Sequence, residues 1–186
     1  MKRKLPKRFL FFAALFMMGI HASFAQTDRP ADEAKGLQVN ARAPDFSAKD
    51  TNDSTFVLSE ALKDGPIVMI FYRGQWCPYC NRHLSNLQDS LEMITGKGAR
   101  VIAISPEPQE KAGVMKEKTG ATFTLLHDED YHIEEAYDVT FRSKLRGYLP
   151  VPATYIINKE GVIVWRHFDP DYHERSTVSD ILKHLP

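Results

Sequence analysis

The hydrophobic pattern predicts a central strand that leads directly into an amphipathic helix. Residues 67–72 form an unbroken apolar run, rich in β-branched and aromatic side chains and of the length typical of a buried strand. After a short turn, Pro78 suits the first turn of a helix. Apolar residues then recur at three- and four-residue spacing, which predicts a helix face packed on a core. These positions are Leu84, Leu87, Leu91 and Ile94.

Strands and helices alternate along the rest of the chain. The patterns predict further strands at residues 43–48, 54–58, 100–105, 123–126, 154–157 and 162–165, and helices at residues 59–62, 106–119, 131–137 and 175–184. Strand and helix alternation predicts right-handed crossovers and a parallel sheet. The last two strands flank an Asn-Lys-Glu-Gly turn, which predicts an antiparallel hairpin. The expected fold class is therefore α/β, with a mixed central sheet flanked by helices.

The first 25 residues have the composition of a secretory signal peptide. Five basic residues precede an apolar run at residues 9–20, and small residues stand before a cut after Ala25. The alternative is an uncleaved membrane anchor, but a spanning helix needs ~20 apolar residues. We therefore expect a mature chain that starts at Gln26, is exported to the periplasm or secreted, and has no stable membrane anchoring.

Length and charge limit the remaining possibilities. The 186 residues carry no formal net charge, but removal of residues 1–25 would leave 19 basic and 24 acidic residues, a net charge of −5. A nucleic-acid partner is not expected for such a chain. Residues 26–38 are polar and aperiodic, which predicts a flexible leader. Residues 39–186 then form one globular domain.

The chain has only two cysteines, Cys77 and Cys80, both at the predicted start of the helix. The positive end of the helix dipole favours a thiolate there, and pKa values of such thiols fall from ~8.5 to ~3.5–7.5. A redox site is therefore indicated. A permanent disulfide is one alternative in an oxidising compartment, although so short a loop gains little chain entropy. A zinc site formed by the two cysteines and His83 is another alternative, but the sequence has no second pair of cysteine or histidine ligands to complete it. No metal or cofactor is expected.

Residues 71–80, Phe-Tyr-Arg-Gly-Gln-Trp-Cys-Pro-Tyr-Cys, closely resemble the active-site stretch of the peroxiredoxin-like branch of the alkyl hydroperoxide reductase/thiol-specific antioxidant family. Residues 43–46, 149–157 and 167–172 resemble other stretches of the same branch. The resemblance implies a thioredoxin-like fold. It also implies a thiol peroxidase that reduces hydrogen peroxide or alkyl hydroperoxides through a Cys77–Cys80 disulfide and is recycled by a thioredoxin-like donor; the composition of residues 1–25 adds the expectation of export.

The resemblance also implies roles for individual residues. In the family pattern Pro-x-x-x-Thr-x-x-Cys, the final cysteine attacks the peroxide and falls on Cys80, while Cys77 holds the threonine position and would resolve the sulfenic acid. Arg73 replaces the proline of the pattern. Pro152 stands where many typical peroxiredoxins place an active-site arginine, so Arg73 is a candidate for the missing guanidinium, against a plain surface or structural arginine.

Three further residues are expected to support the site. Trp76 is predicted to shield the disulfide from water, although such an aromatic can equally belong to the core or to a docking surface. Pro152, followed by Ala153 and Thr154, resembles the cis-proline that abuts the cysteines of thioredoxin folds, so a cis Val151–Pro152 bond is expected. The alternative is an ordinary proline that leads a strand.

Two functions remain open at this point. The overall resemblance favours a peroxidase, whereas Cys77, Pro152 and export favour a thiol-disulfide oxidoreductase acting on protein disulfides. In thioredoxins the first cysteine, here Cys77, is the nucleophile and the second is more buried. Exported copper carriers with a thioredoxin fold are a more distant resemblance, because they space their cysteines one residue wider.

Overall fold

The computed structural model describes residues 29–186, so the predicted signal peptide lies outside the described residues. Within this part of the chain, no helix is both long and apolar enough to cross a membrane. The centre of the fold is a mixed sheet of seven strands: β1 (Ser47–Asp50), β2 (Thr55–Val57), β3 (Ile67–Phe71), β4 (Arg100–Ser105), β5 (Thr124–His127), β8 (Ala153–Ile157) and β9 (Ile163–Phe168). Their order across the sheet is β2-β1-β5-β4-β3-β8-β9.

The parallel and antiparallel parts of the sheet are arranged as the sequence predicts. Strands β3, β4 and β5 pair in parallel, whereas β8 pairs antiparallel with both β3 and β9. The hairpin between β8 and β9 turns over Asn158, whose backbone carbonyl and side chain accept hydrogen bonds from Gly161 and Val162. The prediction of an α/β fold with a mixed sheet is confirmed.

Helices cover both faces of the sheet. They are α1 (Leu58–Ala61), α2 (Pro78–Asp89), α3 (Leu91–Thr95), α4 (Gln109–Thr119), α5 (His132–Ala136) and α6 (Val178–His184). Alternate side chains of β3 face opposite sides: Met69 and Phe71 pack with α1 and α5, whereas Val68 and Ile70 pack with α2, α3, α4 and α6. Every residue of β3 is buried, because both faces are covered. The cysteines belong to the second of these two clusters.

Three helices differ by three residues or more from the sequence prediction. Helix α4 begins at Gln109 rather than at residue 106, since Pro108 is its N-cap and has extended backbone angles. The helix expected to run on through Ile94 breaks at Ser90, whose φ of −115° and ψ of 13° separate α2 from α3. Serine competes for backbone hydrogen bonds and is a weak helix former. The last helix begins at Val178 rather than at residue 175, because Thr177 and Asp180 form a capping box. Arg175 is thereby left in the loop before α6.

The sequence analysis missed a second, two-stranded sheet formed by β6 (Thr140–Ser143) and β7 (Gly147–Pro150). These strands have four residues each, and their buried residues, Thr140, Leu149 and Pro150, do not form a regular apolar alternation. The turn between them places Arg146 against Trp76, with the guanidinium 3.8 Å from the indole ring centre. This hairpin therefore borders the cysteine turn.

From Arg29 onward, the predicted leader is bound to the domain. Arg29 Nη2 lies 2.7 Å from Asp138 Oδ1, and the Gly36 N–H donates to the Asp138 carbonyl across 3.0 Å. The Leu37 N–H donates to the Tyr155 hydroxyl at 3.1 Å. Residues 29–37 of the predicted leader thus form hydrogen bonds and an ion pair with the domain, and the flexibility expected of residues 26–38 stays a prediction.

Candidate active site

Strand β3 and helix α2 place both cysteines at the start of the helix. Cys77 is the N-cap residue, with extended backbone angles, and its carbonyl accepts the Asn81 N–H at 3.0 Å. Pro78 follows at the first helical position, where its missing N–H costs no hydrogen bond. Cys80 lies in the first turn. Both side chains are free thiols and are buried, with exposures of 1% for Cys77 and 0% for Cys80.

Gly74 allows the turn between β3 and α2 to close tightly. Its φ of +146° is outside the range that other residues favour, and a Cβ atom there would lie 2.5 Å from Trp76 Nε1 and 2.7 Å from Glu107 Cδ. The Gln75 N–H donates to Glu107 Oε2 at 2.6 Å, and the Cys77 N–H donates to the Gly74 carbonyl at 3.1 Å. The turn is therefore rigidly held from both sides.

The two thiols have opposite pKa shifts. A hydrogen bond donated by the Cys80 thiol lowers the pKa of Cys77 to about 6; burial opposes this shift, and the charges of Arg73 and Arg175 add to it. Burial, together with donation to Cys77, raises the pKa of Cys80. Because the two groups share a proton, the negative charge of the pair rests mainly on Cys77. At neutral pH the pair holds one thiolate and one thiol.

Arg175 supplies a guanidinium to the cysteine pair, a contact that the sequence analysis missed. Its Nη2 donates to Cys80 Sγ at 3.6 Å. Its Nη1 donates to the backbone carbonyls of Tyr172 and Glu174, which fixes the guanidinium in the loop before α6. The signal available in the sequence was indirect: residues 167–172, just before this arginine, resemble a stretch of the peroxiredoxin-like branch.

Arg73 also lies near the cysteine pair, but its guanidinium contacts aromatic rings rather than a sulfur atom. Its guanidinium carbon is 4.2 Å from the ring centre of Tyr172 and 5.0 Å from that of Trp76. The charge of Arg73 lowers the pKa of Cys77, and its backbone group forms a hydrogen bond that lowers the pKa of Cys80. Arg73 thus acts on the thiols through its charge and its backbone, while the side-chain contact with sulfur comes from Arg175.

Aromatic side chains surround the turn. Trp76 is half-buried and carries the cation–π contacts with Arg73 and Arg146 described above. Tyr79 packs edge-on against Tyr172, at 5.7 Å between ring centres, and against His173 at 4.6 Å. These rings cover apolar surface beside the cysteines, which is compatible with the shielding role predicted for Trp76.

The expectation of a cis bond before Pro152 is wrong, since residues 29–186 contain no cis peptide bond. The two isomers of an X–Pro bond differ by only ~0.5–1 kcal/mol, so the tertiary surroundings decide and the sequence alone does not. Here the Val151 N–H donates to the Val139 carbonyl at 2.8 Å, which holds the backbone just before the proline. Pro152 itself is buried and lies directly before β8.

Thr154 connects β8 to the loop that carries Arg175. Its Oγ1 lies 2.8 Å from Ser176 Oγ, which in turn lies 3.2 Å from His83 Nε2. Burial lowers the pKa of His83 to about 3, so this imidazole is neutral. Thr154, Ser176 and His83 therefore fix the position of the residue next to Arg175. Within residues 29–186, no three His, Cys, Asp or Glu side chains are grouped to hold a metal ion.

The family described as AhpC/TSA matches residues 39–166, more than half of the chain. The chain belongs to the AhpC/TSA family. Its relatives in this family include "Peroxiredoxin Bcp" of Bacillus subtilis, which is 34% identical over 135 residues, covering 70% of this chain and 85% of that protein. "Peroxiredoxin Q, chloroplastic" of Triticum aestivum is 33% identical over 141 residues, or 74% of this chain. The match spans 64% of the wheat protein's length.

Solved structures show the same fold for this AhpC/TSA chain. "Peroxidoxin BcpB" of Mycobacterium tuberculosis superposes with a TM-score of 0.70 at 23% identity, covering 80% of this chain and 96% of that one. Reduced Prx3 of Vibrio vulnificus, solved in complex with H₂O₂, gives a TM-score of 0.73 at 17% identity, covering 81% and 99%. The predicted family and the thioredoxin-like fold are therefore both confirmed.

Proposed function

We propose that this protein is a thiol peroxidase that reduces hydrogen peroxide or alkyl hydroperoxides through Cys77 and Cys80. The observation that carries the proposal is the thiol pair itself: one sulfur has a lowered pKa, and the other is in contact with the Arg175 guanidinium. A thiolate is the form that attacks a peroxide, and a nearby cation stabilises it. The peroxiredoxin names of the relatives support this reading.

The reaction consumes two thiols and one peroxide. A thiolate attacks the terminal peroxide oxygen, the O–O bond breaks, and the leaving oxygen takes a proton to become water or an alcohol. The attacking sulfur becomes a sulfenic acid. The second cysteine then attacks that sulfur, forms the Cys77–Cys80 disulfide and releases water. Since the chain has only these two cysteines, the resolving step within one chain takes place between them.

Within the pair, we propose that Cys80 attacks and Cys77 resolves, as the family pattern implies. The Cys80 sulfur accepts hydrogen bonds from Arg175 Nη2 and from a backbone group of Arg73. Both hydrogen bonds favour a thiolate on Cys80. In this scheme the Cys77 thiolate first accepts the proton of the Cys80 thiol and then passes it to the leaving oxygen of the peroxide. Cys77 is therefore a thiolate again when it attacks the sulfenic acid on Cys80. The lowered pKa of Cys77 suits this second step.

The same lowered pKa also favours the reverse assignment. A resting thiolate on Cys77 is itself a ready nucleophile, and the raised pKa and full burial of Cys80 resemble a thioredoxin resolving cysteine. This observation supports the second candidate function, a thiol-disulfide oxidoreductase acting on protein disulfides. Both functions use the same disulfide and differ in what oxidises the pair.

One coupled assay separates the two functions. The protein is incubated with NADPH, thioredoxin and thioredoxin reductase, and NADPH consumption is followed with hydrogen peroxide, with cumene hydroperoxide, and with insulin as a protein disulfide. Relative to the same mixture without this protein, a peroxidase recycled by a thioredoxin-like donor raises NADPH consumption only when a peroxide is present. Acceleration by insulin disulfides, without any by peroxide, contradicts the peroxidase and supports the oxidoreductase.

We further propose export with cleavage after Ala25, supported by the basic, apolar and small-residue order of residues 1–25. The mature chain then begins at Gln26 and works in the periplasm or outside the cell. Intact-mass analysis of protein recovered from the exported fraction tests this. A mass that includes residues 1–25 contradicts cleavage and supports an anchor.

A further inference from the structure

A pocket of about 240 Å³ lies between helix α2 and the loop before α6. Its walls include Arg82 and Asn86 from α2 and Arg175 from the loop, and the buried His83 and Ser176 also line it. Arg175 is the same residue that contacts Cys80 Sγ. The pocket therefore adjoins the cysteine pair without containing either sulfur.

The pocket carries positive charge that no acidic group neutralises by direct contact. Within residues 29–186, neither Arg82 nor Arg175 forms an ion pair with a carboxylate. Glu174 stands between His173 and Arg175 in the sequence and offers Arg175 its backbone carbonyl rather than its carboxylate. Asp171 is hydrogen-bonded to His173 at 2.5 Å and acts on Arg175 through its charge alone. Two guanidiniums in a concave site are the usual recognition groups for a carboxylate or phosphate.

The uncharged part of the lining favours an anion that also has an apolar portion. The His83 imidazole is buried and hydrogen-bonded to Ser176, so it adds polarity without charge. Tyr79 and Val178 add apolar surface. A cavity of about 240 Å³ has room for a carboxylate with a few methylene groups. A small organic carboxylate, with charge at one end and carbon at the other, fits this lining.

We propose that this pocket binds the carboxylate of a small organic reactant of the cysteine pair, an assignment whose catalytic part rests on the proposed peroxidase function. The reactant has two possible sources that share this chemistry: an organic peroxide bearing a carboxylate, or a carboxylate-bearing thiol that reduces the disulfide. In either case Arg175 contacts both the bound anion and Cys80, so the ligand is held beside the reacting sulfur.

Direct binding tests the pocket without any turnover. Hexanoate and the neutral hexanamide are titrated into the full-length reduced protein by isothermal titration calorimetry. We expect hexanoate to bind at least tenfold more tightly than hexanamide.

Variants of the pocket wall test which residues bind the anion. Arg82→Gln should lower the affinity for hexanoate at least fivefold, and Arg82→Lys should retain most of that affinity. Asn86→Asp, which adds a negative charge to the wall, should weaken hexanoate but not hexanamide. Equal affinity for the acid and the amide overturns the proposal, as does an Arg82→Gln variant that binds hexanoate as the wild type does.

Two kinetic arms identify the source of the carboxylate. Oxidation of the reduced protein by persuccinate is compared with oxidation by peracetate, and reduction of the oxidised protein by 3-mercaptopropionate is compared with reduction by 3-mercaptopropionamide. The carboxylate reagent should be at least fivefold faster in one arm, and Arg82→Gln should remove that advantage. No carboxylate advantage in either arm overturns the catalytic part. A protein that binds hexanoate but reacts with no peroxide refutes the proposed peroxidase and leaves the anion pocket established.

Discussion

Arg175 Nη2 and Cys80 Sγ lie 3.6 Å apart, although 95 positions separate these residues in the chain. An opposite charge at such a distance favours the ionised form of a thiol, typically by 1–3 pKa units. The arginine is itself held by two backbone carbonyls of its own loop. Its position relative to the cysteine pair is therefore set before any substrate arrives.

Replacing Arg175 by Gln should slow the reaction of the reduced protein with hydrogen peroxide. One pKa unit of lost thiolate stabilisation corresponds to ~1.4 kcal/mol, so we expect roughly a tenfold fall in the single-turnover rate. Stopped-flow fluorescence of Trp76 and Trp165 measures that rate. Arg175→Lys should retain part of the activity, and Arg100→Gln, an exposed arginine paired with Asp64, is the matched control. A wild-type rate in Arg175→Gln contradicts the role given to this arginine.

The two cysteines should behave differently when each is replaced by serine. In Cys77→Ser, a single turnover with peroxide should leave a sulfenic acid on Cys80, which a dimedone-type probe followed by mass spectrometry detects. Cys80→Ser should react no faster than a free thiol. The opposite pattern, with fast reaction in Cys80→Ser alone, reverses the assignment. If the reduced wild type and both variants all react as slowly as free cysteine, the peroxidase function itself is refuted.

The thiolate of the resting pair should titrate near pH 6 and should belong to Cys77. Because the folded-state pKa of Cys77 is lowered to about 6, the thiolate is present above this pH and is lost as the pH falls through it. Thiolate absorbance at 240 nm, followed from about pH 4 to 9, should show a step near 6 in the reduced wild type. Cys77→Ser should lack this step. A step near 6 that survives in Cys77→Ser would assign the resting charge to Cys80.

Glu134 should reduce the stability of the fold at neutral pH. It is fully buried, and neither carboxyl oxygen has a hydrogen-bond partner. Burial raises its pKa well above the usual value, and the charges of Asp128 and Glu135 add to the shift. Above pH ~4.3 the unfolded chain releases this proton while the folded chain keeps it, so stability falls as the pH rises.

Glu134→Met keeps the volume and removes both unpaired oxygens. We expect it to stabilise the protein by about 1–3 kcal/mol near pH 7, with a smaller gain near pH 4. Urea unfolding at the two pH values measures the difference. Glu60→Met, at an exposed position in α1, is the control and should change stability little. A loss of stability in Glu134→Met at both pH values contradicts the explanation.

Sequence patterns predicted the parts of the fold that depend on local apolar periodicity. Strands β3 and β4 and the start of α2 are uniformly apolar or regularly amphipathic, so their positions follow from a few neighbouring residues. The β6–β7 hairpin has no such signal, because its strands have four residues each and their buried positions do not alternate regularly. The break at Ser90 was missed for a different reason: the apolar spacing of Leu87, Leu91 and Ile94 continues across this weak helix former.

The candidate site likewise has residues that one local motif indicates and residues that only the fold brings together. Cys77, Cys80, Arg73 and Trp76 lie within eight residues, so one motif indicated all of them. Arg175 meets Cys80 only because β9 and the following loop return to the start of α2, and no local pattern reports such a contact. The trans bond before Pro152 is also set by its surroundings. Both features depend on contacts between residues that are distant in the sequence, and residue types alone do not predict such contacts.

The loop that carries Arg175 also affects the order in which the site forms during synthesis. A ribosome makes the chain from its N-terminus, so both cysteines and all strands of the central sheet emerge before Arg175, Ser176 and the capping box of α6. A nascent chain that stops at Phe168 thus has every strand of that sheet and both thiols. It lacks the guanidinium on Cys80 and the serine hydroxyl that bridges Thr154 and His83. The last dozen residues of the chain therefore complete the electrostatic environment of the cysteines.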